Sequence, residues 1–333
     1  MTLPTGKLPV ELLSSLLGPL TPKDPRVVLG PGVGLDCTVI DFGDRLLVAK
    51  TDPITFTAER IGWYAVHVNA NDVATTGARP RWFLCTVLLP EKHCRFALVE
   101  SIFGEIEEAC DQVGAELVGG HTEVTAGLER PILAGTMLGE VAPDRLITPR
   151  GARPGDHLLL TKGIPIEGGS ILAREFADRL TALPAATVKR AREYLVDPGL
   201  SVVPEAMAAA ALGGVTAMHD PTEGGLAAAL WELADAAHVR LEVDRQAIPI
   251  LPEAAALCGH LGLEPMDTIA SGALLLTVTP AQAEAVVSAI AALGITVRRI
   301  GEVTTGNGVA MRTKAGLSAL PRPARDALAA LYD

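Results

Sequence analysis

Residues 69–80 read Asn-Ala-Asn-Asp-Val-Ala-Thr-Thr-Gly-Ala-Arg-Pro and place polar side chains where a buried helix is expected. The apolar run Ile61–Val68 predicts the inner part of that helix, and the Gly and Pro near the end of the stretch predict its stop. Helical spacing puts Asn69, Asp72 and Thr76 on one face. Because a buried carboxylate and amide are costly unless something binds them, the stretch predicts either a ligand site or a polar stripe satisfied by neighbouring loops.

The composition limits the classes of function. The chain has 333 residues, of which 49% are hydrophobic and 20% charged, which predicts a compact protein of two domains. Its net charge of −11 argues against a nucleic-acid partner, which would require a basic face. No apolar stretch approaches the 18 residues of a membrane span, so we also expect no membrane partner.

Cysteine usage and the first residues of the chain indicate the compartment. The cysteines are odd in number, lack C-x-x-C spacing and are not preceded by an export signal, which favours reduced thiols and a cytoplasmic protein. We expect most of them to be small core residues. They are Cys37, Cys85, Cys94, Cys110 and Cys258.

Hydrophobic periodicity predicts an α+β order in the first half of the chain. After an opening helix over Leu8–Leu17, the pattern reads β-β-α-β-α-β-β. The predicted strands are Cys37–Phe42, Arg45–Thr51, Trp82–Leu89, Ala115–Val118 and Ile132–Val141, and the helices are Ile61–Thr76 and His93–Val113.

A stretch rich in Gly, Pro and Arg at residues 148–156 predicts a domain boundary, which divides the chain into residues 1–148 and 149–333. The second half again mixes strands and helices without an internal repeat, as in an α+β layer domain. It opens with a strand over His157–Thr161, a glycine-rich turn and a helix from about Ser170.

Two aspartates near the first strands are candidate metal ligands. Asp36 ends a glycine-rich segment, residues 30–36, that leads into a strand and not into a helix, so it is not the dinucleotide fingerprint. Asp52 ends the second strand and precedes a proline. Each also has an ordinary interpretation, a surface turn for the first and a turn cap for the second.

The sequence Gly119-Gly120-His121-Thr122-Glu123 follows a predicted strand and predicts a tight loop that offers a base, a hydroxyl and a carboxylate. A loop histidine is more often solvated than catalytic. Together with Asp36, Asp52 and Asp72, however, the Glu123 carboxylate gives the hard-oxygen set that Mg²⁺ requires.

A further candidate opens a helix in the second half, where the chain reads Asp220-Pro-Thr222-Glu-Gly224-Gly225. Thr222 is a predicted N-cap, and glycines at a helix start allow an anion to approach the backbone amides. The alternative is an ordinary capped helix.

The ordered set of motifs resembles one superfamily. The chain shows Gly-x-Gly-x-Asp, Thr-Asp, Asn-x-x-Asp-x-x-x-x-Gly-Ala-x-Pro, Gly-Gly-x-Thr, Arg-Gly-Ala-x-Pro-Gly-Asp and Asp-Pro-Thr-x-Gly-Gly-Leu, from Gly6 to about Val303. This order is similar to the aminoimidazole ribonucleotide (AIR) synthetase, or PurM-like, superfamily. That group includes selenophosphate synthetase, thiamine-monophosphate kinase and the hydrogenase-maturation protein HypE, and the second-half motifs resemble the HypE branch most.

The resemblance implies a homodimer in which the amino-terminal sheets pair into a shared barrel, with ATP and Mg²⁺ as cofactors. It implies metal-site roles for Asp36, Asp52, Asp72 and Glu123, with Asp72 and His121 as candidate catalytic residues. Lys7 would close over the phosphates, unless it is simply a solvated lysine. The implied ATP- and phosphate-binding residues are Lys7, Asn69, Gly119, Gly120, His121, Thr122, Asp220, Thr222, Gly224 and Gly225.

The implied activity is transfer of the ATP γ-phosphoryl group to activate a small-molecule acceptor. The alternatives are a thiamine-phosphate-type kinase and a non-catalytic nucleotide-binding maturation or regulatory protein, and a maturation partner protein is also expected. Two departures qualify the resemblance. HypE proteins carry a terminal cysteine, whereas this sequence has none after Cys258, so we expect no carbamoyl transfer to its own tail. Its first cysteine is Cys37, which argues against selenophosphate synthesis.

Overall fold

The computed structural model describes residues 5–32 and 34–332, so Met1–Pro4, Val33 of the glycine-rich segment and Asp333 lie outside the described residues. The chain forms two compact units. The amino-terminal unit comprises Lys23–Gly30 and Asp36–Leu146, and the carboxyl-terminal unit comprises Met1–Pro22, Pro31–Leu35 and Ile147–Asp333. The first helix, α1 (Val10–Leu17), therefore belongs to the carboxyl-terminal unit. The domain boundary after residue 148 stays a prediction.

The amino-terminal unit is a six-stranded mixed sheet covered by two helices. Its strands lie in the order β1-β2-β3-β6-β4-β5, and only the β4–β5 pair is parallel. The elements are β1 (Val27–Leu29), β2 (Thr38–Asp41), β3 (Leu46–Ile54), α2 (Ile61–Thr75), β4 (Arg79–Pro90), α3 (Phe96–Val113), β5 (Glu116–Thr125) and β6 (Ile132–Val141).

Helix α2 is the core of this unit, because every residue from Ile61 to Thr75 is buried. It packs against α3 on one side and against β3 and β6 on the other. A helix that is enclosed on all sides needs no amphipathic stripe, which explains its continuous apolar first half. Its polar second half is therefore buried as well, as the sequence predicts.

Strand β5 differs from the prediction. Residues 119–123 were expected to form a loop, but they continue the strand to Thr125 and pair with β4. The register shifts between Phe83 and Leu84 of β4, where Val118, the residue before the two glycines, is the extra residue of a bulge. Gly120 has φ +153°, and a Cβ there would lie 2.0 Å from the carbonyl oxygen of Cys85. Only glycine fits this close approach, so Gly-Gly adapts the strand locally without ending it.

The carboxyl-terminal unit is a seven-stranded mixed sheet with helices around it. The strand order is β13-β12-β9-β11-β7-β10-β8, and β9 pairs with β12 in parallel. The elements are β7 (His157–Thr161), α4 (Ile166–Glu175), α5 (Ala185–Arg192), α6 (Val203–Leu212), β8 (Val215–His219), α7 (Gly225–Ala237), β9 (Arg240–Asp244), α8 (Pro252–Leu261), β10 (Leu275–Val278), α9 (Ala283–Ala291), β11 (Val297–Thr304), β12 (Gly308–Thr313) and β13 (Gly316–Ala319).

This architecture confirms a two-domain α+β fold with two mixed sheets. Within the described ranges neither sheet closes into a barrel, and the barrel shared across a dimer stays a prediction. One detail differs from the sequence-based prediction. Helix α4 begins at Ile166, four residues before the predicted start, so its two glycines lie inside the helix. Among residues 5–32 and 34–332, no helix combines the length and the hydropathy that a bilayer crossing requires.

Candidate functional site

A lysine that the sequence analysis did not select organises the polar end of the amino-terminal unit. The Lys50 Nζ lies 3.2 Å from Asp52 Oδ2 and 3.0 Å from Asp72 Oδ2. Lys50 and Asp52 lie two residues apart on β3, and strand periodicity therefore puts them on the same face. Asp72 reaches the same ammonium from α2 and is 1% exposed. The structure thus brings together two of the predicted metal ligands around one cation.

The electrostatics of Lys50 show that the third aspartate lies close as well. Burial alone would lower the pKa of Lys50, but the charges of Asp72, Asp52 and Asp36 raise it well above its usual value. We call Lys50, Asp36, Asp52 and Asp72 the Lys50 cluster. Its three carboxylates and one ammonium sum to a formal charge of −2. Such a site attracts a further cation.

Asn69 supports the Lys50 cluster through hydrogen bonds to the backbone of Asp52 in β3. Its Oδ1 accepts a hydrogen bond from the backbone N–H of Asp52 at 2.8 Å. Its Nδ2 donates to the carbonyl oxygens of Asp52 at 3.3 Å and Ala65 at 2.8 Å. The Asn69 amide therefore fixes the backbone that carries Asp52. Thr76, the third residue of the predicted polar face, donates back to Val73 within its own helix.

His121 and Glu123 lie on the exposed edge strand β5 and pair with each other. His121 Nε2 lies 3.1 Å from Glu123 Oε2, and Thr125 Oγ1 donates to Glu123 Oε1 at 2.8 Å. These two hydrogen bonds lower the pKa of Glu123. Within the described part of the chain, no hydrogen bond or ion pair joins Glu123 to the Lys50 cluster, so its role as a metal ligand stays a prediction. The phosphate-binding roles of Gly119, Gly120, His121 and Thr122, and the catalytic role of His121, stay predictions as well.

The start of α7 differs from the predicted cap. Thr222 is not the N-cap; Gly224 takes that position with φ +85°, and its N–H donates to Asp326 Oδ2 at 2.6 Å. Gly225, at φ +64°, approaches the backbone so closely that a Cβ would lie 2.3 Å from the Met266 carbonyl oxygen. Close packing accounts for both glycines, and their contact with phosphate stays a prediction.

Lys7 lies at this same helix start. Its Nζ donates to Thr222 Oγ1 at 3.0 Å, and its backbone N–H donates to Glu223 Oε2 at 2.9 Å. Asp220, which follows β8, is fully buried. The carboxyl-terminal unit thus brings Lys7, Thr222 and the two glycines of the predicted phosphate set into one neighbourhood. Lys7 itself is exposed to solvent.

Two family models match most of the chain. Residues 34–141 match the amino-terminal domain of AIR synthase related protein, and residues 153–314 match its carboxyl-terminal domain. The chain belongs to the AIR synthase related protein family. Its described fold and the ordered motifs of the sequence agree with this membership, so the predicted PurM-like superfamily is confirmed.

Several members of the family show what this chain is similar to. The carbamoyl dehydratase HypE of Cupriavidus necator is 34% identical over 291 residues, which cover 82% of this chain and 78% of the relative. A crystal structure of hydrogenase maturation protein HypE in complex with ATP has a TM-score of 0.73 and 24% identity, with 98% of each chain covered. A HypE–HypF complex has a TM-score of 0.74 and 20% identity, covering 94% of this chain and 99% of the other.

The Lys50 cluster has the donor chemistry that Mg²⁺ binding requires. The donors are carboxylate oxygens, which Mg²⁺ prefers, and their combined charge is negative. Among the described residues of the amino-terminal unit, no three acidic side chains bring oxygen atoms within 4.8 Å of one another. The set therefore fits an ion that takes one or two carboxylates directly and keeps water and phosphate oxygens in its remaining positions, as Mg²⁺ does with nucleotides.

Proposed function

We propose that this protein is an ATP- and Mg²⁺-dependent enzyme that transfers the γ-phosphoryl group of ATP to a small-molecule acceptor. The observation that carries the proposal is the Lys50 cluster, in which Asp36, Asp52 and Asp72 surround one lysine. Membership of a family whose HypE relative is solved with ATP supports it.

The residues have distinct parts in this proposal. Asp52 and Asp72 would hold Mg²⁺, with Asp36 adding negative charge, and the bound ion would neutralise the phosphates. Lys50 can act as a point charge toward a phosphate oxygen, because its ammonium already lies among the metal-binding carboxylates. Asn69 keeps Asp52 in place. Phosphoryl transfer depends on such positioning and charge more than on a covalent protein nucleophile, so the proposal requires no nucleophilic side chain.

The acceptor atom that we propose is an amide oxygen. The relatives named carbamoyl dehydratase remove water from a carbamoyl group. Attack of the oxygen of a primary amide on the γ-phosphorus, with ADP as leaving group and loss of one of the two N–H protons, gives an O-phosphorylated imidate. Loss of phosphate and of the nitrogen proton then leaves a nitrile. The net result is dehydration of the amide at the expense of one ATP.

Phosphate release tests this function. We expect the protein with Mg²⁺ and ATP to release phosphate when the correct member of a panel of primary amides is present, and to stop when EDTA removes the metal. Thiamine phosphate belongs in the panel, since ADP formation with that substrate alone would favour the kinase alternative. Tight ATP binding without turnover on any acceptor would contradict an enzyme and favour a regulatory nucleotide-binding protein.

The edge strand β5 supports the proposed homodimer. Nine of its ten residues are exposed, and Val118 and Val124 are 50% and 57% exposed. A long exposed edge with apolar side chains is a template for pairing with another chain. We propose that a second copy covers it, as the shared barrel implied by the family requires.

Charge on β5 should therefore dissociate the dimer. We expect the wild-type protein to sediment as a dimer at micromolar concentration and the Val118→Lys/Val124→Lys variant to sediment as a monomer. Val28→Lys is the matched control, because Val28 is 52% exposed on β1, the opposite edge of the same sheet. Analytical ultracentrifugation distinguishes the two, and a monomeric wild-type protein would refute the shared barrel.

A protein partner is also proposed. The HypE–HypF complex supports a maturation partner for members of this fold. We propose the partner only as a class, a protein that delivers or receives the acceptor group.

A further inference from the structure

A groove lies between α5 of the carboxyl-terminal unit and the segment that precedes it, residues 177–183. We call it the α5 groove; its volume is about 390 Å³ and its lining is mostly apolar. The segment before α5 contributes the side chains of Leu180 and Leu183. One face of α5 forms the other wall, since the residues recur at the helical spacing i, i+3, i+4 and i+7. They are Ala185, Val188, Lys189 and Arg192.

The two cations of the α5 groove are not neutralised by neighbouring acids. In the described part of the chain, no ion pair joins Lys189 or Arg192 to a carboxylate, whereas Arg190, between them, lies 2.8 Å from Asp197 Oδ2. Arg192 Nε donates to the Ala173 carbonyl oxygen at 2.9 Å, which fixes the side chain through one of its five donors. Basic residues at the end of a helix also offset its dipole, but that effect does not account for the apolar groove beside them.

The α5 groove is a basic region of an acidic protein. Residues 174–192 contain five Arg or Lys and two Asp or Glu, a formal charge of +3, whereas the whole chain has a net charge of −11. An acidic segment is repelled by the chain as a whole and attracted to this region. Charge complementarity therefore indicates an anionic occupant, and the apolar lining requires that the occupant also carry apolar side chains.

The exposure of the α5 groove favours a protein segment over a small molecule. Small ligands bind where most of their surface is enclosed. Here Ala185 and Lys189 are exposed, and Leu183 and Val188 are half-buried, so one side of a small ligand would remain in water. An amphipathic helix needs only one covered face, because its anchors at i, i+3, i+4 and i+7 enter the groove while its polar face stays solvated.

We infer that the α5 groove binds an acidic amphipathic helix of a partner protein. Apolar side chains of that helix pack on Leu180, Leu183 and Val188, and its carboxylates pair with Lys189 and Arg192. The inference goes beyond the proposed function, since the groove lies in the carboxyl-terminal unit and binding there requires neither ATP nor the Lys50 cluster. It gives the proposed partner a recognition chemistry and a location on this chain.

Matched synthetic peptides test the inference. The acidic peptide has about 15 residues, with leucines at i, i+3, i+4 and i+7 and glutamates beside them, and its twin has glutamine in place of every glutamate. We expect fluorescence anisotropy with the full-length protein to give the acidic peptide a Kd on the order of 10 μM and the twin about fivefold weaker binding, since two partly exposed ion pairs are lost. Added salt should reduce the difference, and serine in place of the leucines should abolish binding.

Charge reversal on α5 identifies the groove as the binding surface. Lys189→Glu should weaken binding of the acidic peptide about fivefold and should strengthen binding of a peptide with lysines in place of the glutamates. Lys314→Glu is the matched control, because Lys314 is exposed in the turn between β12 and β13 and the charge change is the same. The control should keep the wild-type affinity for both peptides.

The outcomes separate this inference from the proposed function. Equal affinity for the acidic peptide and its twin overturns the inference, as does no binding of the acidic peptide at about 1 mM. An unchanged affinity in Lys189→Glu overturns it too. Self-association of the wild-type protein that Lys189→Glu abolishes, without peptide binding, would assign the groove to a second copy instead. Binding of a non-hydrolysable ATP analogue is measured on the same samples: its absence in the wild-type protein refutes only the proposed function.

Discussion

Asp72→Asn is expected to abolish Mg²⁺-dependent binding of an ATP analogue while the protein stays folded. The Asp72 carboxylate is almost fully buried and lies 3.0 Å from the Lys50 ammonium. The substitution keeps the shape of the side chain but changes the formal charge of the Lys50 cluster from −2 to −1. It also removes a proposed ligand of the metal. We expect an affinity loss of at least about a hundredfold, the upper range for changes next to a metal.

Calorimetric titration with Mg²⁺ and a non-hydrolysable ATP analogue measures this loss. The fold should persist, because Lys50 keeps Asp52 at 3.2 Å and is not left as an uncompensated buried charge. Asp111→Asn is the matched control, since Asp111 is exposed on α3 of the same unit. Unchanged affinity in the Asp72 variant would remove this residue from the site.

Lys162→Met is expected to destabilise the carboxyl-terminal unit by about 3–5 kcal/mol, the cost of leaving one buried charge without its partner. Lys162 Nζ lies 2.9 Å from Glu205 Oε1 and also donates to the carbonyl oxygens of Gly199 and Ser201. Glu205 is fully buried, and its other hydrogen bond is a 3.3 Å contact from Thr161. The variant therefore leaves a buried carboxylate with one weak donor.

Urea unfolding measures the change in the free energy of unfolding. The double variant Lys162→Met/Glu205→Leu should recover most of the loss, because an apolar pair needs no compensating charge. Arg299→Met is the surface control: Arg299 forms an exposed ion pair with Glu302, so its loss should cost less than about 1 kcal/mol. A Lys162→Met protein as stable as the wild type would show that the buried pair contributes little.

The sequence predicts the site best where local periodicity controls it. The end of α2 was predicted within one residue, because the Gly and Pro after it are strong stop signals. The convergence of Asp52 and Asp72 followed from the family motifs. Lys50 was overlooked although strand alternation puts it on the same face as Asp52, so the signal was present in the sequence.

Other features depend on contacts that local sequence does not contain. Gly-Gly in β5 is compatible with a tight loop or with a continued strand, and pairing with the neighbouring strand β4 decides between them. Thr222 is a good N-cap residue, yet Asp326, about a hundred residues away, takes over the helix start through Gly224. The burial of Glu167 likewise results from the packing of α4 against residues 269–271. Long-range packing overrides local preference in all three cases.

The path of the chain between its two units has a consequence for its synthesis. Residues up to Pro22, and Pro31–Leu35, belong to the unit that is otherwise made last. The ribosome releases Lys7 long before Glu223 and Thr222, the residues that hold it. The amino-terminal unit can therefore assemble during translation, whereas the leading segment must wait for the remainder of its own unit. A pause or truncation late in translation would leave α1 and its leucines without the unit on which they fold.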